Sequence, residues 1–468
     1  MEIIAVILIP LLGILALPLL KWNKLAYHLL LIGLIILNTA LLSFHVADKQ
    51  VTHVFGVLTF YMDKYAWFFV ILIHVAWLVT IIYSYSFSLY HFQKKISRFY
   101  GFLSVVISIL LANILAGDML TMFLFYVLGI PFTYPLLILR EHEKYIGRYY
   151  LLNTLLPAFL MFLPAILIIY NITGSTYFYE APSKALQEHG DLAALCLVLF
   201  VIGISKNSVM PFHTWLPKTM SAPAPVSALI HSVAAVKSGV IVMTKIAVYV
   251  YGLDFLRSLT SDFLTGGWLI YLCGITSVYT AYKALKSDNL KVRFSYSTIG
   301  QISYIIIALL VATPASVLGA MLHIITHSIA KMGLFFVAGT YNSLYKTLKA
   351  DQIAKITPYT PWLVIAVAIF GASITGFPFF AGYHSKDLML LEEIHTGNYA
   401  AAVFLLIGSL INILYIYPVV KSGFFYKEKV PLEVKKIPWG IKIAISVCVF
   451  IIISFSFYTY YIVRYFEM

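Results

Sequence analysis

The sequence has 468 residues, of which 61% are hydrophobic and 11% are charged, and its mean hydropathy is +0.91. This composition leaves too little polar surface for a soluble globular protein of this size and indicates a membrane protein with many spans. The net charge of +13 raises the question of nucleic acid. Most of the cations lie in short loops between apolar runs and form no basic stripe, which excludes a nucleic-acid-binding function.

Apolar runs of about the 20 residues needed to cross a bilayer recur along the whole chain. They predict an all-α polytopic membrane protein of about fourteen transmembrane helices, with the seventh and twelfth interrupted. The predicted spans are about 2–20, 25–46, 64–88, 98–116, 119–139, 149–172, 191–212, 225–250, 263–285, 294–312, 315–345, 359–379, 398–420 and 438–464.

The loops between these spans provide a separate test of their number. With the N-terminus outside, 22 of the 32 lysines and arginines fall in inner loops and 5 on the outer side. Such a bias between alternate loops is typical of cytoplasmic loops and indicates an even number of spans. We therefore expect a multi-pass protein of a prokaryotic cell membrane with both termini outside.

The stretch 203–245 combines apolar character with ionisable residues and several prolines. It contains Lys206, His231 and Lys237, and among its prolines Pro211 and Pro217 predict helix breaks, because proline lacks a backbone donor and clashes with the preceding turn. Broken helices and intramembrane lysines are costly in lipid and usually mark an ion or substrate path. The working hypothesis is ion translocation.

A second proline break echoes the first. The seventh span is interrupted around Pro211 and the twelfth around Pro378, and the two spans are five apart and run in opposite directions. This arrangement is typical of inverted-topology repeats, in which broken helices meet near the middle of the membrane. The predicted organisation is helices 1–3 in 1–97, a first five-helix repeat in 98–250, a second in 251–420 and the last helix in 421–468.

The depth of each lysine follows from its distance along the helix. At ~1.5 Å per residue, Lys206 and Lys237 lie roughly 20 Å from where their helices enter the membrane. That is too far for their stems to reach the surface, so a functional role is favoured for both. Lys245 lies close to the outer end of its helix, where we expect its stem to extend to the interface.

Three further ionisable residues share one helix face. His323, His327 and Lys331 are spaced i, i+4 and i+8, which brings neighbours within ~5–6 Å and favours proton exchange between them. Two histidines at i and i+4 also fit a metal site, but no third acidic ligand or HExxH glutamate accompanies them, so no metal is expected. His28 and His74 are interpreted as structural core residues.

Lys386 follows directly after the predicted break at Pro378, and it is expected to be functional. Its neighbour Asp387 projects about 100° away around a helix and is a poor direct partner. A desolvated lysine can take up and release a proton near neutral pH, so buried lysines and histidines together form a plausible proton path. We predict no catalytic residue, and the absence of a dinucleotide motif, haem pattern or cysteine cluster predicts no cofactor in this chain.

Several motifs resemble one known family. They are KNSVMPFHTWLPKTMSAPAPVSALIH at 206–231, DNLKVRFSYSTIGQISY at 288–304, HIITHSIAKMGLFFVAG at 323–339 and GFPFFAGYHSKD at 376–387. In these stretches the chain resembles the antiporter-like subunits of respiratory complex I, of membrane-bound hydrogenases and sulfur reductases, and of multisubunit cation/proton antiporters. The resemblance implies fourteen helices with two inverted five-helix repeats. It also implies that Lys206 and Lys386 are the lysines of the two broken helices, with His231, Lys237, His323, His327 and Lys331 between them.

One position departs from the family. The resemblance implies a glutamate in the fifth span that pairs with the lysine of the seventh, and here the aligned residue is Val127. The first hypothesis is therefore a proton- or sodium-translocating subunit of a multisubunit complex, with other membrane subunits and a peripheral redox arm as partners and redox chemistry in those partners. The alternative is a structural or coupling subunit that no longer pumps, and an independent transporter of a small solute is a weaker third.

Overall fold

The computed structural model describes residues 2–43, 51–88, 95–139, 144–180, 182–356, 359–425 and 436–467, and they are predominantly helical. Within them, ten helices are long and apolar enough to cross a membrane, or eleven if a pair bent by 98° between Ala235–Tyr251 and Leu253–Ser261 counts as one span. The prediction of a membrane protein with many spans is confirmed.

The helices of the first part of the chain are α1 Glu2–Leu15, α2 Leu17–Trp22, α3 Lys24–Ser43, α4 Lys64–Ser88, α5 Ile96–Leu115, α6 Met119–Leu137, α7 Lys144–Pro157, α8 Leu163–Thr173, α9 Lys184–Glu188, α10 Gly190–Gly203, α11 Trp215–Lys218, α12 Ala224–Leu229, α13 Ala235–Lys245 and α14 Leu253–Ser261. Those of the second part are α15 Trp268–Lys286, α16 Leu290–Val311, α17 Pro314–Tyr345, α18 Ala350–Ile356, α19 Pro361–Thr375, α20 Ala381–His395, α21 Tyr399–Phe425 and α22 Trp439–Glu467. Wider π-helical turns join several of them, at Ala158–Phe162, Ile230–Ala234, Ile246–Tyr251 and Phe263–Gly267.

A small β-hairpin corrects the prediction of an all-α fold. Strand β1, Val51–Val54, pairs antiparallel with β2, Leu58–Tyr61. The turn between them places both Phe55 and Gly56 at positive φ, which suits the right-handed twist of a hairpin. The hairpin was missed because its strands are only four residues long and lie between two long apolar runs.

The chain forms two compact units. The first comprises Met1–Ile81, Phe92–Trp215 and Val233–Leu269, and the second comprises Ile82–His91, Leu216–Ser232 and Ile270–Met468.

Close backbone approaches in the first unit position the interrupted helix. A Cβ on Gly203, the last residue of α10, would lie 2.6 Å from the backbone nitrogen of Phe162 in a neighbouring π-turn. A Cβ on Gly239 of α13 would lie 2.6 Å from Oδ1 of Asn207. Since real Cβ atoms do not approach this closely, only glycine allows these segments to pack at the observed distance.

The second unit is built around α17, which is 32 residues long and largely buried. The helix begins at a capping box in which Thr313 and Ser316 satisfy each other's backbone groups. Helix α20 packs closely against it, because a Cβ on Gly319 would lie 3.0 Å from Cγ of Met389. This packing brings the polar face of α17 against α20.

Both interrupted segments are present. Helix α10 ends at Gly203, before Lys206 and earlier than the predicted break, and a single 3₁₀ turn, Ser205–Asn207, follows. Pro211 lies in the connection after that turn, in a cis peptide bond, and Pro217 lies within the short helix α11. Helix α19 ends at Thr375, where Gly376 adopts a left-handed φ of 84°, and Pro378 lies in the turn before α20.

Candidate functional site

Lys206 lies in the 3₁₀ turn of the first unit and is 3% exposed. Its Nζ donates a hydrogen bond to the backbone oxygen of Tyr126 at 2.8 Å and lies 4.1 Å from the centroid of the Tyr126 ring. The Tyr126 hydroxyl in turn accepts from the Lys206 backbone nitrogen at 3.1 Å. No carboxylate of the described residues pairs with this ammonium group, so neutral groups alone hold it.

A small cavity of about 20 Å³ adjoins Lys206. That volume is enough for about one water molecule, which needs two or more polar partners. Asn113 of α5 supplies one such partner, because its buried Oδ1 accepts no hydrogen bond within the described structure. Thr133 and Ser238 also line the cavity and carry hydroxyl groups. The cavity can therefore hold a proton-conducting water beside the lysine.

Lys237 belongs to α13 and is 1% exposed. Two residues further on, Gly239 packs against Asn207, whose amide nitrogen and oxygen are both buried without a hydrogen-bond partner among the described residues. Lys206 and Lys237 thus belong to segments that pack directly on each other. The side chain of His231 lies outside the described residues.

In the second unit, the polar faces of α16 and α17 meet. Both nitrogens of His323 are engaged, since Nε2 is 2.8 Å from Oε1 of Gln301 and Nδ1 is 3.0 Å from Oγ of Ser385. The ring of His327, one turn along, lies 6.2 Å from that of His323 between centroids. The predicted shared face of these histidines is present, and both are completely buried.

Lys331 continues this face by one more turn. Its Nζ donates to the Ser297 hydroxyl of α16 and to the backbone oxygen of Phe294 at 3.1 Å. The Ser297 hydroxyl is also hydrogen-bonded to the Tyr415 hydroxyl of α21. Ser297 and Gln301 are one turn apart on α16, so this helix supplies a polar partner to each end of the His–Lys face.

Lys386 lies near the start of α20, directly after Ser385. It is 6% exposed, and its Nζ donates to the backbone oxygen of Thr375 at 3.2 Å and to Oγ of Ser409 at 2.9 Å. The Tyr304 ring centroid lies 5.6 Å from the same nitrogen. Like Lys206, this lysine is held by neutral groups, without a carboxylate partner in the described part of the chain.

Lys245 corrects the expectation that its stem extends to the membrane surface. It is fully buried, and its Nζ lies 2.9 Å from Oδ2 of Asp63, which is itself buried. The same nitrogen donates to the backbone oxygen of Ala116 at 2.9 Å. The distance from the helix end was compatible with snorkelling, but a buried acid in the same unit stabilises the charge inside the protein instead.

The remaining predictions concern histidines and metals. His28 and His74 are buried, and each bonds the backbone oxygen one turn earlier, as expected of structural residues. No group of three or more His, Cys, Asp or Glu side chains in the described ranges is arranged to hold a metal ion.

Several polar partners were not predicted from the sequence, namely Asp63, Asn113, Ser297, Gln301, Tyr304 and Ser385, and the buried acid Glu393 was missed as well. A usable signal existed for two of them, because Gln301 and Ser297 are spaced i, i+4 inside an apolar helix, as His323 and His327 are. Asp63 gave no such signal, since it precedes α4 and is far from Lys245 in the sequence. Glu393 resembles a solvent-exposed residue because it follows Glu392 near a helix end.

A multi-span helical fold with buried lysines at two interrupted helices and a buried His–Lys face on α17 is typical of ion-translocating membrane proteins. In keeping with this class, residues 116–412 match the family described as NADH:quinone oxidoreductase/Mrp antiporter, TM. The match covers more than half of the sequence, and the chain belongs to that family.

Among curated proteins, the chain is similar to one subunit of the Na(+)/H(+) antiporter of Alkalihalophilus pseudofirmus, with 24% identity over 78% of this chain and 73% of that protein. It is 29% identical to NADH-quinone oxidoreductase subunit N of Phocaeicola vulgatus, over 70% of this chain and 69% of that one. Other relatives are longer. The match spans only 33% of one subunit of a probable K(+)/H(+) antiporter of Rhizobium meliloti, at 27% identity over 72% of this chain.

Solved structures show the same fold. A chain of the archaeal membrane-bound sulfane sulfur reductase aligns with a TM-score of 0.84 and 20% identity, covering 100% of this chain and 96% of that one. A chain of respiratory complex I from Thermus thermophilus aligns with a TM-score of 0.83 and 18% identity, covering 99% and 97%. These relatives and neighbours are antiporter-like membrane subunits of multisubunit complexes.

Proposed function

We propose that this protein is a proton- or sodium-translocating subunit of a multisubunit energy-converting complex. The observation that carries the proposal is that the ammonium groups of Lys206 and Lys386 have no carboxylate partner among the described residues. Both are buried at interrupted helices and held only by neutral groups, whereas Lys245 is neutralised by a carboxylate. A buried lysine without a fixed counter-charge can lose and regain its proton as charge nearby changes.

The proposed path uses ionisable groups of both units: Lys206, His231, Lys237, His323, His327, Lys331 and Lys386. In the second unit its chemistry is well supported, because Gln301 and Ser385 orient the His323 ring while Ser297 binds Lys331. A neutral imidazole so bound can accept a proton at one nitrogen and release one from the other. In the first unit, the cavity beside Lys206 has room for a water molecule that could carry a proton.

The proposed membrane topology is fourteen spans with both termini outside a prokaryotic cell membrane. Three shorter apolar helices, Ile3–Leu15, Gly190–Gly203 and Pro361–Thr375, and the bent pair beginning at Ala235 add to the ten long helices and support that number. The inverted five-helix repeats 98–250 and 251–420 then each contain one interrupted helix. The loop charge bias supports the orientation.

The proposed partners are other membrane subunits, including homologous antiporter-like ones, and a peripheral redox arm. The relatives support this, since the names of several are those of subunits of NADH-quinone oxidoreductases and cation antiporters. Redox chemistry is assigned to the partners, and this chain is proposed to bind no cofactor of its own.

A structural or coupling role without pumping is the alternative. It is favoured by the surroundings of Lys206, because no acidic residue is among those that line its cavity. Val127, the residue aligned with the family glutamate, is partly exposed and does not line that cavity. On the same helix, α6, Gly129 does line it, and a Cβ at Gly129 would lie 3.4 Å from Nζ of Lys206.

The test is ion translocation by the assembled complex in native membrane vesicles. Lys206→Met and Lys386→Met keep the side-chain volume and remove the ammonium group, and we expect each to lower ΔpH formation or ²²Na⁺ uptake at least roughly tenfold. The exposed Lys442, replaced in the same way, is the matched control. Normal translocation by both variants in intact complexes would refute the proposal and favour the structural role.

A further inference from the structure

Glu393 is a buried acid that the path described above does not use. It lies on α20, its side chain is completely buried, and neither carboxyl oxygen accepts a hydrogen bond from any described residue. The adjacent Glu392 behaves differently, since it is partly exposed and lies 3.6 Å from Nδ1 of His395. An unpartnered carboxylate is costly to bury, whereas the protonated acid is much less so. Glu393 is therefore a place where the protein can store a proton.

Its position relative to Lys386 follows from helix geometry. The two residues are seven apart on α20, which is two turns, so they share a helix face and are separated by roughly 10 Å along the axis. Tyr304 of α16 lies beside Lys386, with its ring centroid 5.6 Å from the ammonium nitrogen and its hydroxyl inside the protein. That hydroxyl is buried against Gly408, at a point where any Cβ would collide with it.

Glu393 also lies close to the C-terminal end of α20, which ends at His395. Ser385 bonds His323 and Met389 contacts Gly319, so α20 and α17 run antiparallel in a fixed register. Four residues further along α20, Glu393 comes level with the first turn of α17, where Pro314 is exposed. A proton on Glu393 is thus within about one helical turn of the surface at the C-terminal end of α20.

We propose that Glu393 is a proton-carrying residue that connects Lys386 with the membrane surface at the C-terminal end of α20, a proposal that rests on the proposed function. The proton leaves Nζ of Lys386, giving a neutral amine, and passes through the Tyr304 hydroxyl and water to a carboxylate oxygen of Glu393, giving a neutral acid. Release of the proton from that acid to surface water restores the carboxylate, and the reverse sequence loads Lys386. The other titratable side chains of α20 are Tyr383, His384, Asp387, Glu392 and His395, and His323 of α17 faces α20 through Ser385.

The experiment uses the assembled complex in native membranes. Glu393→Gln, which keeps the size and removes the exchangeable carboxyl proton, is expected to lower proton translocation at least roughly tenfold. Glu393→Asp, which keeps a carboxyl group, is expected to retain most of the activity, and Glu392→Gln is the matched control. Normal translocation by Glu393→Gln, with Lys386→Met still defective, overturns this proposal alone. Normal translocation by Glu393→Gln, Lys386→Met and Lys206→Met alike overturns the proposed function as well.

A second measurement applies if Glu393→Gln does not assemble. Infrared difference spectra of the wild-type complex between low and high pH should contain the carbonyl stretch of a buried carboxylic acid that gains and loses its proton. The band should shift in Glu393→Asp and remain unchanged in Glu392→Gln. An unchanged spectrum in Glu393→Asp overturns the proposal.

Discussion

The buried ion pair between Lys245 and Asp63 yields the most quantitative prediction for stability. We consider Lys245→Met, which keeps the volume of the side chain but leaves the Asp63 carboxylate without its counter-charge and the Ala116 carbonyl without its donor. At the observed 2.9 Å, Coulomb's law with an effective dielectric constant of about 20 gives an attraction of about 6 kcal/mol. Removing one partner of a buried pair typically costs about 3–5 kcal/mol.

Asp63 accepts further hydrogen bonds, which a substitution at this position should keep. Its Oδ1 accepts from the backbone nitrogens of Tyr65 and Ala66 at the start of α4, at 2.8 and 2.9 Å. Asp63→Asn keeps an acceptor for these bonds while removing the charge. The double variant Asp63→Asn/Lys245→Met leaves no unpaired charge, so we expect it to be more stable than Lys245→Met alone by about 2 kcal/mol, within the range of coupling energies between contacting residues.

The assay is the unfolding free energy of the full-length protein in mixed detergent micelles, followed by tryptophan fluorescence during a denaturant titration. Lys64→Met is the control, because Lys64 is adjacent to Asp63 in sequence but exposed, and its loss should change the free energy by less than about 0.5 kcal/mol. A cost below about 1 kcal/mol for Lys245→Met, or strictly additive effects in the double variant, would refute the assignment of this pair as a stabilising contact.

Two further predictions concern the positioning of the lysines and histidines. Gly239→Ala should destabilise the first unit by about 1–3 kcal/mol and lower translocation, because its new methyl group would displace Asn207 and the turn that carries Lys206. The control is Gly33→Ala on α3, where a Cβ would meet no atom within 4 Å. It should change neither the unfolding free energy nor translocation in vesicles. Gln301→Leu should lower translocation several-fold by leaving Nε2 of His323 without its partner, whereas unchanged transport in vesicles would remove His323 from the proposed path.

Much of the candidate site was predictable from the sequence because apolar context reports burial directly. A lysine or histidine far inside an apolar run cannot reach water, so the burial of Lys206, Lys237 and Lys331 follows from sequence position alone. Helical spacing similarly places His323 and His327 on one face. The interruption near Pro378 was predicted by the conformational limits of proline and glycine, which act locally.

Partners were not predictable in this way. Asp63 and Lys245 are distant in the sequence, and only the tertiary structure of the first unit decides that they meet. The same holds for Ser297 and Gln301, which become ligands of Lys331 and His323 because α16 packs antiparallel to α17. The close approach of Phe162 to Gly203, the last residue of α10, is likewise a tertiary contact that the sequence did not reveal.

The sequence by itself determined that this is a helical membrane protein with many spans, because hydropathy and loop charge are sums over local residues. It also determined the family, through motifs that carry the interrupted helices. Only the tertiary structure decided which buried charges are neutralised and which are not. A lysine buried beside a carboxylate stabilises the fold and a lysine buried among neutral groups can exchange a proton, and that difference depends on contacts between helices.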